Sequence, residues 1–348
     1  MRPLVSTIIP AYNAESTLAY TLASALAQTW TRHEILVIND GSTDRTGQIA
    51  EQYASSDVKV FHTENRGPSA AINLGLQQAQ GDYLQELDAD DLLAPDKLER
   101  QIDAAARLDN PRILLSSSWA PFYYRTRHAR FVGHSLCEDL SPTEWLIRKM
   151  SQNIYMQNAT WLVSRTLAED AGLWDEELYY DNDGEYFARV LSHSEGTHFV
   201  SGTGVYYRAT GSGSVSHIGS SDRKKMALLR SMKLHIELLL SLEDSPRSRA
   251  ACIAYLQNWY PIFYPEQVKL LADVDALAYS LGGRLEAPRL RWKFAWLQPL
   301  FGWEVAKRAQ STLPILKADC LRFVDRLLFL WEQRTGSSFA SSHQAKSF

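Results

Sequence analysis

The chain of 348 residues is long enough to bury a large core, as one extended domain or a domain with an appendage. Hydrophobic residues at 45% and charged residues at 22% exclude a disordered polymer, and a net charge of -4 gives no bulk reason to expect nucleic acid, although residues 289–326 are locally basic. Cys137, Cys252 and Cys320 are too few and too scattered for a disulfide framework or a thiolate metal site, which fits a reducing compartment.

The opening MRPLVSTIIPAYN turns polar too quickly to be expected to act as a signal peptide. No apolar run approaches the length of a membrane span, so the expected location is cytoplasmic, with any membrane contact peripheral, at the inner face of the cytoplasmic membrane.

In chain order, VSTIIP (5–10) reads as a strand, and residues 15–28 repeat Leu18, Leu22 and Leu26 at helical spacing. EILVIND (34–40) is a second strand, followed by a helix that Ser42 or Thr43 would cap. VKVFHT, a helix over 68–79 opened by Pro68, and DYLQELD complete a βαβαβαβ run. Crossovers of this size predict a mainly parallel sheet covered by helices, with ligands outside the carboxyl ends of the strands. Residues 96–108 suit a helix, RILLSSSW a strand, and 120–140 has no clear form. A helix near 143–150, the strand ATWLVS, a short helix RTLAEDAG and a helix over 184–193 follow, then THFV and GVYYR as a final strand pair. GSGSVSHIGSS (211–221) reads as a linker or active-site loop. Long helical stretches begin near 222, and TGSSFASSHQAKSF has little to pack. The expected division is therefore 1–220, a catalytic domain; 221–334, a helical region; and 335–348, a flexible tail.

The chemistry concentrates at strand ends. DGSTDRTG lacks the glycine spacing and lysine of a phosphate loop. Asp40 is either a turn aspartate or a carboxylate that accepts a hydrogen bond from a nucleobase or ribose. In QELDADDLLAP, Asp88 and Asp90 are separated by one residue, so both point to one side of an extended segment. They read as hard oxygen ligands for Mg²⁺ or Mn²⁺, or as an acidic helix cap, with Asp91 more cap than ligand.

VSTIIPAYNAESTLAYTLASALAQTW, EILVINDGSTDRT and ENRGPSAAINLGLQQAQGDYLQELDADD, in that order, resemble the family 2 glycosyltransferases of the GT-A fold over roughly residues 4–210. The resemblance implies an α/β, nucleotide-sugar-binding domain with a mixed, mainly parallel sheet. It implies Pro10, Ala11, Tyr12, Asn13 and Glu15 around the nucleotide, Asp40 facing a base that is commonly uracil, and Arg66 facing the nucleotide or its phosphates. Asp88 would contact ribose, or metal through water, and Asp90 would ligate Mn²⁺ or Mg²⁺ directly. GLWDEELYYDNDGEYFARV is similar to the segment that carries the catalytic base; its usual Glu-Asp pair falls on Asn182 and Asp183, leaving Asp183 as base, with Asp181 and Glu185 as rivals. Arg208, and His217 on a closing loop, would approach the diphosphate, while Trp161 and Trp174 compete between core and acceptor platform.

The implied activity is inverting, metal-dependent sugar transfer from a nucleoside diphosphate sugar, UDP favoured, to a hydroxyl of a saccharide, lipid-linked saccharide or glycoprotein, as in bacterial surface glycan synthesis. A sugar nucleotidyltransferase and a noncatalytic carbohydrate-binding scaffold are the alternatives. In residues 284–310, Arg and Lys interleave with Trp292, Phe294, Trp296, Phe301 and Trp303, a pattern that suits packing onto the catalytic domain or the surface of an anionic membrane.

Overall fold

The computed structural model describes residues 2–210, 218 and 221–335, apart from the side chains of residues 304 and 311. His217, most of the Gly/Ser run and the tail beyond 335 lie outside the described residues. The first half runs β1 (Val5–Ala11), α1 (Leu18–Leu26), β2 (His33–Asp40), α2 (Thr46–Gln52), β3 (Val58–Thr63), α3 (Pro68–Gln78), β4 (Tyr83–Glu86), β5 (Leu92–Leu93), α4 (Lys97–Leu108) and β6 (Ile113–Phe122). Then come α5 (Pro142–Gln152), β7 (Val163–Ser164), α6 (Arg165–Ala171), α7 (Asn182–His193) and β8 (Gly196–Arg208).

The central sheet has the order β3-β2-β1-β4-β7, parallel except for β7. Ile8, Ile9, Leu36 and Val37 are all buried, because helices cover both faces of a parallel sheet and leave no polar side to alternate with. A Cβ on Gly75 of α3 would lie 2.3 Å from Ile8 Cγ2. Gly75→Ala should therefore lower unfolding stability by about 1–3 kcal/mol in a denaturant titration.

Three expectations are corrected. Helix α2 starts at Thr46, not after Ser42 or Thr43: the Asn13 amide donates to Ser42 Oγ at 3.0 Å, and the Thr43 amide donates to Asn13 Oδ1 at 2.9 Å. These side chains link two loops and cap no helix. THFV and GVYYR are one strand, β8, whose pairing to β6 jumps from Val200 to Gly204 across a bulge with Gly202 at φ 76. In ATWLVS only Val163–Ser164 is strand; residues 158–160 form a 3-10 turn held by buried amides, with Gln85 Nε2 donating to Ala159 O and Gln101 Nε2 to Thr160 O.

Helices α8 (Asp222–Leu242), α9 (Pro246–Phe263) and α10 (Val268–Ser280) continue the same hydrophobic core across residue 220, with Met232, Leu256 and Phe263 in one cluster with Trp145 and Phe187. Beyond them lie the short α11 (Trp292–Ala295) and the long α12 (Gln298–Thr335), which breaks at Gly302. The far end of α12 returns to the catalytic half: Asp325 accepts the Tyr124 and Arg125 amides and pairs with Arg125 Nε at 2.7 Å.

Candidate active site

The loops after β1, β2, β3 and β4, the start of α7 and the end of β8 carry the residues singled out from the sequence. Pro10 and Ala11 end β1, and Tyr12, half exposed, and Asn13, at φ 49, follow it. Glu15 accepts the Arg45 amide and pairs with Arg45 Nε at 3.2 Å, so the first two loops form one rim. Asp40 closes β2 and is buried; its two oxygens accept the Arg66 and Gly67 amides, each at 2.9 Å, and fix the turn into α3. A carboxylate with two acceptor oxygens keeps lone pairs for a base N–H beside these amides. The exposed Arg66 guanidinium pairs with Glu176 at 2.8 Å.

After β4 the chain brings carboxylate oxygens of Asp88, Asp90 and Asp91 within 4.8 Å of one another. Asp91 is fully buried and committed, accepting the Arg208 amide at 2.7 Å and Gln157 Nε2 at 2.6 Å. Asp88 accepts Asn158 Nδ2 at 3.2 Å. Arg208 lies beneath the cluster: Nε donates to the Asp90 carbonyl at 2.7 Å, Nη1 donates to Tyr123 O, and the guanidinium sits over the Phe122 ring. Burial pushes Asp88 up to about 7, with Asp90's charge adding and Asn158 opposing. Burial also raises Asp90, against the pull of Arg208. Buried carboxylates forced together in this way fit a cation: Asp88 and Asp90 are half-buried hard-oxygen donors, and buried Glu86 Oε2 beside them has no hydrogen-bond partner among the described residues.

The acidic stretch before and within α7 separates into one open and two committed carboxylates. Asp181, in a left-handed conformation, accepts Ser231 Oγ of α8 and lies 3.7 Å from His235 Nδ1. Glu185 is buried and takes Arg189 Nε and Nη2. Asp183 has the Gly184 amide as its hydrogen bond. Burial, then the charge of Asp181, pushes it up to about 6, with Asp88 adding and Lys149 opposing. Asn182 donates to Ser69 Oγ at 3.0 Å, tying α7 to α3.

A family model described as "Glycosyl transferase family 2" matches residues 6–150. Residues 6–150 are a family 2 glycosyltransferase domain. An uncharacterized glycosyltransferase of Rickettsia typhi is 32% identical over 189 residues, covering 54% of this chain and 59% of that protein. The uncharacterized glycosyltransferase EpsJ of Bacillus subtilis is 41% identical over 107 residues, covering 30% of this chain and 31% of that protein. The chain thus spans about three fifths or less of the length of these curated relatives. The structure of S. aureus TarS 1-349 in complex with UDP-GlcNAc is similar with a TM-score of 0.63 at 20% identity, over 88% of this chain and 90% of that one. Mannosyltransferase PcManGT from Pyrobaculum calidifontis, in complex with GDP-Man and Mn2+, gives a TM-score of 0.50 at 19% identity over 92% and 88% of the two chains. At these identities the structures share the fold, which is the GT-A architecture of a mixed, mostly parallel sheet followed by helices.

Several residues that complete the site around the family 2 domain carry no signal in the sequence. Asn158 bridges Glu86 and Asp88, and Gln157 holds Asp91; Asn158 opens the 3-10 turn and Gln157 caps it, just before the ATWLVS segment. Behind α7, buried Lys149 Nζ meets His235 Nε2 at 3.0 Å, and His235 also bonds the Gly184 carbonyl at 2.8 Å. Burial, then Lys149, pushes His235 down to about 4, so it is neutral near pH 7. Trp161 and Trp174 belong to the core, stacked on Phe187 and Tyr186, and neither is an acceptor platform. The exposed ring whose hydroxyl senses Asp183 is Tyr155, packed 5.3 Å from Trp119.

The buried acidic cluster gives the metal-free fold a definite pH dependence. Asp88 and Asp183 are raised in the folded state, to about 7 and about 6, so the fold binds more protons than the unfolded chain. Stability then falls as pH rises from the ordinary carboxylate range through those values, where both groups ionise without leaving their low-dielectric site. Mn²⁺ or Mg²⁺ should raise the melting temperature more at pH 8 than at pH 5; equal shifts at both pH values would count against metal binding here.

Proposed function

We propose that the chain transfers a sugar from a nucleoside diphosphate sugar, UDP-linked by preference, to an acceptor hydroxyl with inversion at the anomeric carbon. The observation that carries this reading is the convergence of Asp183, the uncommitted carboxylate of its stretch, on the Asp88–Asp90 cluster at the strand ends of a family 2 domain. The TarS and PcManGT structures hold UDP-GlcNAc and GDP-Man, which supports a nucleotide-sugar donor.

In this reading Pro10, Ala11, Tyr12, Asn13 and Glu15 form the nucleotide rim, with Asp40 accepting from the base. Arg66 exchanges Glu176 for the diphosphate. Asp88 and Asp90 would hold Mn²⁺ or Mg²⁺, which when bound neutralises charge on the departing diphosphate. Arg208 fixes the Asp90 backbone from below, a positioning role in place of the direct diphosphate contact expected from the sequence. Asp183 takes the proton of the acceptor hydroxyl as its oxygen bonds to the anomeric carbon and the bond to the diphosphate breaks. The environment that raises Asp183 keeps it a stronger base than an exposed aspartate while leaving it ionised at pH 7. Tyr155, exposed and within the influence of Asp183, would stack on the acceptor.

The test is a screen of UDP-, GDP- and dTDP-sugars against purified full chain with Mn²⁺ or Mg²⁺, recording binding and slow hydrolysis. Metal-dependent preference for one donor, releasing the free nucleoside diphosphate, is expected. Pyrophosphate release would replace this reading with nucleotidyl transfer, and binding without turnover on any acceptor would favour a noncatalytic scaffold. The rate of transfer should rise with pH through about 6 as Asp183 ionises. The acceptor's chemical class, whether saccharide, lipid-linked saccharide or glycoprotein, follows from where the site is held, which the C-terminal helices address.

A further inference from the structure

The C-terminal aromatics divide sharply. Trp303 is covered, meeting Tyr264 edge-on at 5.6 Å, whereas Trp292, Trp296 and Phe301 are 81%, 58% and 60% exposed. Packing within the helical region therefore accounts for Trp303 and leaves Trp292, Trp296 and Phe301 largely in water.

Helix α12 repeats this division along its length. Arg322, Asp325, Phe329 and Glu332 face the catalytic half: Arg322 donates to Thr210 O, Asp325 and Glu332 pair with Arg125, and Phe329 lies 5.9 Å from the Tyr124 ring. On the far side Leu316, Phe323, Val324, Leu327, Leu330 and Trp331 are each at least 45% exposed. At 3.6 residues per turn these six cover an arc of roughly 120°, and exposed Leu321 and Leu328 widen it to about 180°. Every exposed charged side chain described on α11 and α12 is basic, namely Lys293, Arg308, Lys317, Arg326 and Arg334. No described helix is long and apolar enough to cross a membrane.

We propose that α11 and α12 form a docking face for an anionic lipid surface, with the apolar half of α12 lying in the bilayer interface. The width of the arc decides against a second copy of this chain, since a coiled-coil seam needs only a narrow stripe of two positions per heptad. Charge decides the same way: two copies would bring basic residues together, whereas an anionic headgroup layer complements them. Tryptophan, with an apolar ring and one polar edge, favours that interface. The face is also tied to the site. Asp325 holds the Tyr124 amide, the neighbouring Tyr123 carbonyl takes Arg208, and Arg208 holds the Asp90 carbonyl. An acceptor embedded in or tethered to lipid would then meet the donor site where the protein docks. This last consequence rests on the proposed sugar transfer; the docking itself does not.

The experiment is co-sedimentation of the full chain with vesicles of phosphatidylcholine alone or with added phosphatidylglycerol, at low and high salt. Binding is expected on the anionic vesicles and lost at high salt. Lys317→Gln with Arg326→Gln should weaken it by about 25-fold, and Leu316→Glu with Leu327→Glu should abolish it. All four side chains are exposed, so circular dichroism and melting temperature should stay at parental values. No pelleting with anionic vesicles, or unchanged pelleting of the Leu316→Glu, Leu327→Glu variant, overturns the proposal. A dimer in light scattering that this variant splits, without vesicle binding by the parent, replaces the lipid with a second copy. A chain that pellets yet binds no donor leaves the docking intact and sinks only the transferase reading.

Discussion

Asp183→Asn is expected to lower turnover by about 10²–10⁴-fold, the range that a positioned general base contributes, while metal-dependent donor binding stays near the parental level. The amide has the size of the carboxyl and keeps an oxygen for the Gly184 amide, so α7 should not move. What it loses is the ability to take a proton from the acceptor hydroxyl. The two rivals are bound elsewhere: Asp181 by Ser231 of α8, and Glu185 by Arg189. They cannot substitute without breaking those contacts. The rise in rate with pH through about 6 should disappear with the carboxylate. Steady-state transfer and donor titration on the same protein check both halves, and parental turnover in the variant would remove Asp183 from the mechanism.

Asp90→Ala should cost the donor side of the reaction. Its carboxylate is one of the two in the cluster not saturated by protein partners, since Asp91 already accepts from Arg208 and Gln157. In the proposed reading Asp90 ligates the metal directly, and losing that ligand forfeits charge stabilisation worth several kcal/mol, so transfer should fall by at least ~10³-fold. Calorimetric titration with a UDP-sugar, with and without Mn²⁺, should show that the metal no longer strengthens binding, and the metal-induced rise in melting temperature should vanish. The Arg208 contact is to the Asp90 carbonyl and survives the substitution, so the loop should persist. Undiminished metal-dependent binding in Asp90→Ala would move the ion to other ligands.

The physical reason that much of the site is legible in sequence is that its scaffold is built from local patterns. Apolar runs such as EILVIND identify strands buried on both faces, Pro68 opens α3 where its missing amide hydrogen costs nothing, and a carboxylate placed after a strand arrives on the same side as its neighbours. Asp40 and the Asp88–Asp91 run are therefore legible at strand ends in the sequence alone.

Partnerships across the chain follow a different logic. Asp181, Asp183 and Glu185 are near-equivalent in sequence, and only Ser231, fifty positions later, and the fold of α8 onto α7 commit the first of them. Arg208 reads as a phosphate contact at a strand end until its burial against Phe122 and Tyr123 turns it toward the Asp90 backbone. Ala159 and Thr160 read as strand residues until buried amides curl them into the turn that Gln157 caps and Asn158 opens. Composition placed Trp292, Trp296 and Phe301 beside basic residues, but exposure depends on which neighbours reach them, and that is a property of packing. The sequence by itself determined the parallel sheet, the order of its loops and the acidic strand ends, because hydrophobic periodicity and backbone chemistry act over a few residues. The tertiary structure alone decided which carboxylate stays open, what Arg208 holds and which face of α12 meets solvent, because burial and charge pairing join residues far apart in the chain.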